Sequence, residues 1–398
     1  MLLDGEYPKD IRVRKEAESL VEMGFSVLVV CPRKSGLLEE ESHNGVLIYR
    51  FGKNYTFYKK GIYDILGAIN FVNPFFKRGL RESLRKFKID HIHVHDLPLA
   101  KTALKFKNKI SGKVILDLHE NYPEGLKIWG AWKTNSLIRL KDKVFFNYRK
   151  WFNYEKKMVW KVDQIIAVVD EMKERLVKIH EIDRNKVVVV TNSEKIDFQQ
   201  NKSNSKLIDS FQENFTIAYV GGIGPHRGLD TAILGMEKIK ETIPEAKLII
   251  IGSGSEAVIG KLKSIIHTKQ LSEQVIFLGF HPFSEVWGVM KGVNVNIIPH
   301  ASNTHTNNTI PHKLYQIMMS GSPLLVSSCK PLKRIVENIE GGFVFKADDP
   351  TSFSEKVNEI YKDKVLVEQR ARNAYKAVTE GSHNWENESL KLKQIYLD

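Results

Sequence analysis

Cysteine is almost missing from this chain. Cys31 and Cys329 are the only two among 398 residues. Two cysteines cannot build the disulfide framework of a small secreted protein or a cysteine-ligated zinc cluster, so we expect a cytoplasmic protein. The length and the 42% hydrophobic content leave room for two or three domains of about 100 to 200 residues, each with its own core.

Long apolar runs and catalytic signature patterns are absent as well. No stretch offers the roughly 18 apolar residues of a membrane-spanning helix, and the first residues lack the order of a signal peptide. The chain is therefore predicted to be soluble or to lie on a surface. A nucleophile elbow, a serine triad and the spacings of tight metal sites are missing too. His91, His93 and His95 alternate on one predicted strand, but helices normally cover such a face, so we expect no metal and no cofactor.

Positive charge is present in excess, at a formal net charge of +13, and it is concentrated in two segments. Residues 53–88 hold nine Lys/Arg against two acidic residues, and residues 127–161 hold ten against two. Aromatic residues are interleaved with these cations, a pattern that favours the anionic inner face of the plasma membrane for residues 53–88. Residues 137–160 have an apolar face at helical spacing, and for them a core helix with solvated cations remains an equal alternative.

Nucleic-acid binding is a third interpretation of the basic charge. It is disfavoured because the excess is confined to two segments and no RNA- or DNA-binding motif accompanies it. We therefore predict no nucleic-acid partner.

Short apolar runs alternate with helical patterns along the whole chain, which indicates βα units and parallel sheets. The predicted strands of the first half are residues 25–31, 46–51, 91–95, 113–119, 164–169 and 186–192. Those of the second half are residues 215–222, 247–254, 275–280, 293–300, 323–328 and 341–346. The polar segment 194–214 between them is interpreted as a linker. The predicted fold class is α/β, with two tandem Rossmann-like doubly wound domains, residues 1–193 and 215–379, and a cleft between them.

A glycine-rich turn, YVGGIGPHRG, spans Tyr219 to Gly228 and precedes a helix predicted from Leu229. Glycines allow a ligand to approach the backbone closely, and Arg227 can clamp a phosphate. The alternative is an ordinary βα turn with a surface arginine.

The stretch from His305 to Ser328 is predicted to be a loop that leads into a helix beginning at Thr309, Ile310 and Pro311. Unpaired N–H groups and the positive end of the helix dipole make such a start a site for anions. Lys313 adds a cation in the first turn, where it is unfavourable unless an anion is bound. The alternative is a surface helix with an isolated lysine.

Two polar residues follow predicted strands of the first half. His119 could bond a sugar hydroxyl, or it could be satisfied by neighbouring backbone groups. Asp96 is predicted first to cap the helix at Leu97 and Pro98, and alternatively to act on an acceptor hydroxyl.

Seven motifs occur in order along nearly the whole chain: DGEYPKDIRVRKEAESLVEMGFSVLVVC, HVHDLPL, ILDLHENYPE, YVGGIGPHRGLDT, VIFLGF, TIPHKLYQIMMSGSPLLVSS and NWENESLKLKQIY. In this order they resemble the GT-B fold glycosyltransferases of family 4, which are retaining enzymes, and especially the bacterial members that build cell-surface polysaccharides. The resemblance implies transfer of a sugar from a nucleotide-diphosphate donor, with UDP favoured, to a lipid-linked or saccharide acceptor. It also implies an acceptor-binding first domain, a donor-binding second domain, and a terminal helix, residues 380–398, that rejoins the first.

The residue patterns and the resemblance together predict roles for individual residues of this chain. Catalytic roles fall on His119, Arg227 and Lys313. Donor-binding roles fall on Gly5, Gly222, Gly224, Phe280, His281, Asn308, Thr309, Ile310, Pro311 and Gln316. Acceptor-binding roles fall on Asp96 and Glu120.

Three positions depart from the family pattern. Asn308 and Gln316 stand where many members carry two glutamates eight positions apart, and Gly222 stands where many carry an arginine. These departures motivate an alternative function: a non-catalytic partner subunit, derived from a glycosyltransferase, that binds nucleotide or the membrane.

Overall fold

The computed structural model describes residues 1–131, 136–200 and 206–397. The chain folds into two compact units. Unit 1 is Met1–Thr191 with Glu388–Asp398, and unit 2 is Asn192–Asn387. The sequence places the corresponding boundaries at residues 193 and 380.

Every strand predicted from an apolar run is a strand in the structure. Unit 1 contains β1 Leu28–Pro32, β2 Glu40–His43, β3 Val46–Phe51, β4 Ile92–His95, β5 Val114–Leu118, β6 Gln164–Ala167 and β7 Val187–Val189. Unit 2 contains β8 Thr216–Val220, β9 Lys247–Ile251, β10 Val275–Gly279, β11 Val295–Ile298, β12 Leu324–Ser327 and β13 Phe343–Phe345. Strand β2 was not predicted, because its residues EESH are polar and mostly exposed and pair antiparallel at the edge of the sheet.

Helices occupy most connections between these strands, and the last three described helices follow β13. The first eight are α1 Ile11–Glu22, α2 Phe57–Asn70, α3 Pro74–Lys86, α4 Ala100–Leu104, α5 Tyr122–Ala131, α6 Ser136–Phe145, α7 Tyr148–Lys161 and α8 Asp170–His180. The other eight are α9 Leu229–Thr242, α10 Glu256–Thr268, α11 Phe283–Gly292, α12 Lys313–Ser320, α13 Lys330–Asn338, α14 Pro350–Lys362, α15 Lys364–Thr379 and α16 Trp385–Leu397. Within the described ranges, none of these helices is both long enough and apolar enough to cross a membrane.

Unit 1 has a sheet whose two halves meet at the start of the chain. Strands β1, β3 and β2 form one half, and β4, β5, β6 and β7 form the other. Leu2 bridges them, because it pairs in parallel with Val30 on one side and with Val94 on the other. The strand order therefore reverses at Leu2 and β4, and in doubly wound sheets ligands bind at the carboxyl ends of the strands at such a reversal. Gly5 and Asp96 follow these two segments.

Unit 2 has the order β10-β9-β8-β11-β12-β13, in which all neighbours are parallel. Numbered within the unit, this order is 3-2-1-4-5-6, which is the dinucleotide-binding arrangement. The reversal lies between β8 and β11, because the chain leaves these two neighbours in opposite directions. The loops after β8 and β11 therefore border a crevice, and the glycine-rich turn is one of them.

The predicted amphipathic pattern over residues 137–160 is divided between two helices. Asn147 interrupts it, and its side chain accepts a hydrogen bond from Lys150 N–H at 3.0 Å to start α7. Trp151 on α7 is only 3% exposed, so this half belongs to the core, whereas Leu140 on α6 is 60% exposed. The core interpretation thus holds for α7 alone. Trp132 of the second basic segment lies outside the described residues.

The segment 194–214, interpreted as a linker, is part of unit 2 where the structure describes it. The ring of Phe198 lies 5.1 Å from that of Trp287 on α11, and Glu194 is buried. Residues 201–205 of this segment lie outside the described residues. Polar composition suggested a solvated connection, but a few apolar and charged side chains attach the segment to the domain that follows it.

The first testable prediction concerns Gly228, which begins α9. Its φ is +64°, and a Cβ placed on it would lie 1.8 Å from the carbonyl oxygen of Pro299. Gly228→Ala should therefore lower the free energy of unfolding by more than about 2 kcal/mol, through left-handed strain and a backbone clash. Gly260→Ala is the control, because that α10 position is open and alanine should stabilise the helix by about 1 kcal/mol. Urea unfolding measures both, and equal midpoints would contradict the geometry.

Candidate functional site

Arg227 and His300 meet at the strand-order reversal of unit 2. Arg227 ends the short turn after β8, and His300 follows β11. The guanidinium Nη1 donates a hydrogen bond to His300 Nε2 at 3.0 Å. Burial first, then the charges of Arg227 and Lys313, lower the pKa of His300 well below its ordinary value, so this histidine accepts and stays neutral. The arginine charge is therefore left without a compensating carboxylate at this contact.

Lys313 places a second cation beside the same turn. Its ammonium nitrogen donates to the carbonyl oxygen of Val220 at 3.1 Å and lies 3.7 Å from the ring centroid of Tyr219. Gly221, at φ +133°, lets it approach, since a Cβ there would lie 3.3 Å from that nitrogen. In the part of the chain that the structure describes, neither Lys313 nor Arg227 forms an ion pair with a carboxylate. Burial and then the charge of Arg227 hold the pKa of Lys313 well below its ordinary value.

The predicted start of the phosphate-binding helix was wrong. The helix α12 begins at Lys313, and the first residue that the prediction gave it, Thr309, is extended with φ −139° and ψ 158°. The amide of Asn192 donates to Ile310 O at 3.2 Å, which holds this backbone away from a helix. Pro311 precedes the helix, and its carbonyl oxygen accepts from Leu314 N–H at 3.2 Å.

The corrected start still presents open backbone donors. The backbone N–H groups of Thr309, Ile310 and Lys313 have no acceptor among the described residues. They lie on the segment that carries the buried ammonium, at the positive end of the α12 dipole. Unpaired donors, a helix dipole and a buried cation together favour an anionic ligand.

Two more histidine rings pack in this region beside His300. The ring of His226 lies 5.5 Å from that of His305 and 6.3 Å from that of His300. Burial first, then Arg227, His305 and Lys313, lower the pKa of His226 to about 3. His226 and His300 are therefore neutral and add nothing to the positive charge of Arg227 and Lys313.

Three further residues predicted to bind the donor form hydrogen bonds within their own loops: Asn308, Gly222 and Gly224. Asn308 is nearly buried, and its amide donates to Thr304 O at 2.6 Å, so this N–H group holds the loop. Gly222 O accepts from the hydroxyl of Tyr219 at 2.6 Å, and Gly224 O accepts from Arg227 N–H at 3.0 Å. These glycines shape the turn that carries Arg227.

Gln316 bonds a carboxylate that the sequence did not reveal. Its amide nitrogen donates to Glu194 Oε1 at 3.1 Å, and His312 Nδ1 lies 3.8 Å from the same oxygen. Glu194 is 122 residues away in the chain, so no local pattern predicts the contact. A carboxylate is thus present next to the amide that replaces the family's glutamate.

Phe280 and His281 follow β10, two strands away from β8. Phe280 is 75% exposed, whereas His281 is held by Glu285 Oε2 at 2.8 Å and by Leu278 O at 3.0 Å. Backbone hydrogen bonds join the strand ends in sequence: Gly252 N–H donates to Gly279 O at 2.8 Å, and Gly221 N–H donates to Ile251 O at 2.9 Å. The base-binding role of this loop stays a prediction.

In unit 1, His119 lies between two carboxylates. Its Nε2 is 2.7 Å from Asp117 Oδ2, and its Nδ1 is 3.6 Å from Asp96 Oδ2. The prediction that Asp96 caps the following helix was wrong, because its side chain makes no capping hydrogen bond to the turn Leu97–Leu99. Asp96 has φ +68°, an unusual conformation for an aspartate, and its carboxylate faces His119 instead. Glu120 follows His119 and is partly buried, as is Gly5 after Leu2.

A buried polar cluster that was not predicted from the sequence lies next to His119. Glu16, His93, His95 and Asp117 bring potential metal ligands within 4.8 Å of one another. Arg12 already places a cation among them, since its Nε and Nη2 donate to Asp117 at 3.0 and 2.9 Å. The available signal was α1 itself, which carries Arg12 and Glu16 four residues apart on its buried face.

The two halves of the chain match two glycosyltransferase families. Residues 11–193 match the family described as Glycosyltransferase Family 4, and residues 200–377 match Glycosyl transferases group 1. The chain belongs to the GT-B fold glycosyltransferases of family 4.

Curated relatives and solved structures agree with this family. An uncharacterized glycosyltransferase of Methanocaldococcus jannaschii is 26% identical over 246 residues, which is 58% of this chain and 59% of the relative. The capsular polysaccharide biosynthesis glycosyltransferase CapM of Staphylococcus aureus is 24% identical over 61% of this chain and 63% of its own length. The chain thus matches about six tenths of the length of these relatives. The structure of Anabaena HepE in complex with UDP-glucose matches this chain with a TM-score of 0.72 at 14% sequence identity. The match covers 99% of this chain and 97% of the HepE chain.

The second testable prediction contrasts two buried glutamates of unit 1. Burial and then the charge of Asp117 raise the pKa of Glu16 to about 8, whereas Arg175 and His180 lower the pKa of Glu155 despite its burial. Glu16→Gln should therefore fold as stably as the parent near neutral pH, because the amide resembles the protonated acid. Glu155→Gln should lose about 3 to 5 kcal/mol, because it leaves the Arg175 charge buried without its partner.

Unfolding measured at several pH values tests the direction of the Glu16 pKa shift. Because this pKa is raised from 4.5 to about 8, the folded protein keeps a proton on Glu16 that the unfolded chain loses as pH rises above 4.5. The contribution of Glu16 to stability therefore declines as pH rises from 4.5 to about 8. The stability of Glu16→Gln relative to the parent should accordingly improve over that interval. A constant difference across it would show that Glu16 is ionised throughout.

Proposed function

We propose that the protein transfers a sugar from a UDP-sugar donor to a saccharide or lipid-linked acceptor, with retention at the anomeric carbon. One observation carries the proposal. Arg227 and Lys313, two cations without carboxylate partners among the described residues, lie with open backbone donors at the strand-order reversal of unit 2. A diphosphate supplies the negative charge and the acceptor oxygens that this arrangement lacks.

The same groups would do the chemical work. Negative charge builds on the diphosphate as the bond to the sugar breaks, and fixed N–H groups with nearby cations stabilise that charge. Arg227 and Lys313 supply the positive charge for which other transferases use a divalent metal, so we propose that the reaction is metal-independent. As the family resemblance implies, the acceptor attacks from the face of the leaving group, and the departing phosphate takes the acceptor proton.

Recognition of the nucleoside would use the neighbouring groups of unit 2. The loop of Phe280 and His281 is proposed to contact the base, and Gln316 to contact the ribose. The amide nitrogen of Gln316 donates its hydrogen bond to Glu194, so the side-chain carbonyl oxygen of Gln316 is the atom that would accept from the ribose. The carboxylate of Glu194 is a second acceptor next to it. Two acceptors suit the vicinal hydroxyls of a ribose. HepE binds UDP-glucose, which supports UDP as the nucleotide.

The acceptor is proposed to be a growing glycan, free or lipid-linked, as in cell-surface polysaccharide synthesis. The relative CapM is a capsular polysaccharide biosynthesis enzyme, which supports that substrate class. In unit 1, Asp96 and Glu120 are the proposed acceptor-binding residues, and His119 is the proposed catalytic group.

Association with an anionic membrane surface would bring a lipid-linked acceptor within reach. The helix α2 exposes an apolar stripe at spacings of three and four: Tyr58 is 82% exposed, Ile62 59%, Leu66 43% and Ile69 58%, and Phe57 beside it is 87% exposed. Exposed cations accompany the stripe in the same basic segment, among them Lys59 on α2 and Arg78, Arg81 and Arg85 on α3. Exposed apolar residues together with cations favour the interface of an anionic bilayer. We propose peripheral binding at the inner face of the plasma membrane.

The third testable prediction concerns the phosphate site. Lys313→Ala and Arg227→Ala should each weaken UDP binding roughly 10- to 100-fold, because each removes a charge-assisted hydrogen bond. The lowered pKa of Lys313 adds a second signature: a bound diphosphate favours the ammonium form, so UDP binding should take up a proton in the pH range between the free and the UDP-bound pKa of Lys313. Calorimetry in buffers of different ionisation enthalpy measures both, and Lys313→Ala should abolish the uptake.

Lys333→Ala is the matched control, since this lysine on α13 is about half exposed and has no proposed role in donor binding. Unchanged UDP affinity in both site variants would refute the phosphate assignment.

A labelled-donor assay then distinguishes an active transferase from a non-catalytic partner subunit. Intact UDP binding without hydrolysis or transfer from any of several UDP-sugars would favour the binding subunit.

The fourth testable prediction concerns the membrane surface. Charge reversal at Lys77, Arg78 and Arg81 should reduce flotation with vesicles containing anionic phospholipid, and Phe57→Ser with Tyr58→Ser should reduce it as well. Reversal at Lys263, Lys291 and Lys364, three exposed lysines of unit 2, is the control for net charge. Equal flotation of all variants and the parent would mean that the exposed stripe is merely solvated.

A further inference from the structure

The two ring nitrogens of His119 face different carboxylates, at 2.7 Å for Asp117 and 3.6 Å for Asp96. The first distance is that of a hydrogen bond and the second that of an ion pair, and both carboxylates favour the positively charged imidazolium over the neutral ring. The arrangement around this ring therefore suits the protonated form.

Asp117 is held rigidly by a second cation. Arg12 donates to both of its oxygens, at 3.0 and 2.9 Å, and anchors itself through Nη1 to Val190 O at 3.2 Å. Arg12 comes from α1, Asp117 from β5 and Val190 follows β7, so three elements of unit 1 fix the carboxylate. Asp117 is fully buried, and Arg12 and His119 hold its pKa well below its usual range even though burial alone would raise it.

A divalent cation is the competing occupant of this cluster. Glu16, His93, His95 and Asp117 offer suitable ligand atoms, and no hydrogen bond reaches Glu16 Oε1, Glu16 Oε2 or His93 Nε2 in the described part of the chain. Both oxygens of Asp117, however, already accept from Arg12, whose Nε also lies 3.0 Å from Glu16 Oε1. The guanidinium thus occupies the place of a metal.

The charges around His119 balance without a metal. The groups that face the ring are Asp96, Asp117, His95, Arg12 and Glu16. Glu16 is uncharged near neutral pH and His95 is neutral, because burial raises the pKa of the first and lowers that of the second. Arg12 and the His119 imidazolium then face Asp117 and Asp96. Burial alone would lower the pKa of His119, but these two carboxylates raise it to about 10.

We propose that Asp117, anchored by Arg12, is a positioning residue that orients the ring of His119 through its Nε2. The other nitrogen, Nδ1, lies 3.6 Å from Asp96, too far for a hydrogen bond, and donates to a substrate oxygen, so the ring does not act as a general base. The use of the ring on a substrate rests on the proposed function, whereas its protonation in the free protein does not.

The fifth testable prediction is a histidine titration by NMR, using protein labelled at histidine Cε1. The chain has 13 histidines, and the resonance missing from His119→Gln identifies the one that matters. In the parent, His119 should stay protonated beyond about pH 8.5, whereas an unperturbed histidine titrates near about 6.5. Asp117→Asn should lower the midpoint by about one to two pH units, and Asp96→Asn should lower it less, because Asp96 is farther from the ring and more exposed.

Glu285→Gln is the matched control, since it removes a carboxylate 2.8 Å from His281 in unit 2 and should leave the His119 midpoint unchanged. A midpoint near 6.5 in the parent overturns the proposal even if Asp117→Asn does not fold. So does a midpoint that Asp117→Asn leaves unmoved.

One equivalent of ZnCl₂ tests the competing occupant: stoichiometric shifts of the His93 and His95 resonances would replace the proposal with a metal site. None of these readouts needs enzymatic activity, so failure here is distinct from failure to transfer sugar.

Discussion

Unit 2 is organised around a buried ammonium group that has no carboxylate partner among the described residues. Lys313 is 9% exposed, and its charge is met by the carbonyl oxygen of Val220 and the ring of Tyr219. Such a charge is unfavourable in a protein interior unless a ligand supplies the missing anion. The surrounding structure follows from this constraint: Gly221 leaves room for the ammonium, and Arg227 is turned toward a neutral histidine. Under the proposed function, the diphosphate of the donor would balance these charges.

Unit 1 solves the opposite problem. Its buried charges are already paired, with Arg12 on Asp117 and His119 between Asp117 and Asp96. Buried pairs of this kind contribute little net stability, but removing one member is costly, so they favour a single arrangement of the groups involved. A preorganised ring suits a group that orients a substrate, whereas an uncompensated cation suits a group that binds one. The two units therefore prepare different steps of the same proposed reaction.

The described strands other than β2 were predictable because each is a short apolar run that a parallel sheet buries on both faces, whereas β2 is polar, exposed and antiparallel. The start of α12 was not predictable from the same kind of pattern. Proline favours the first turn of a helix, which pointed to Pro311, but the amide of Asn192 holds Ile310 O and keeps the preceding backbone extended. Asp96 is a similar case, because its preference for a capping position is overridden by the positive φ that turns it toward His119. In both cases a contact distant in sequence outweighed a local preference.

By itself, the sequence determined the α/β class, the two sets of alternating strands and the segments after strands that carry Arg227, Lys313 and His119. Local patterns suffice for these features, because apolar runs and glycine-rich turns act over a few residues. Only the tertiary structure decided which groups meet: Arg12 with Asp117 across 105 residues, and Gln316 with Glu194 across 122. These pairings depend on the order of strands in each sheet, which brings distant segments to one edge and which residue spacing does not encode. The charge state of each site follows from those pairings. They leave cations without carboxylate partners in unit 2, among the described residues, and paired charges in unit 1.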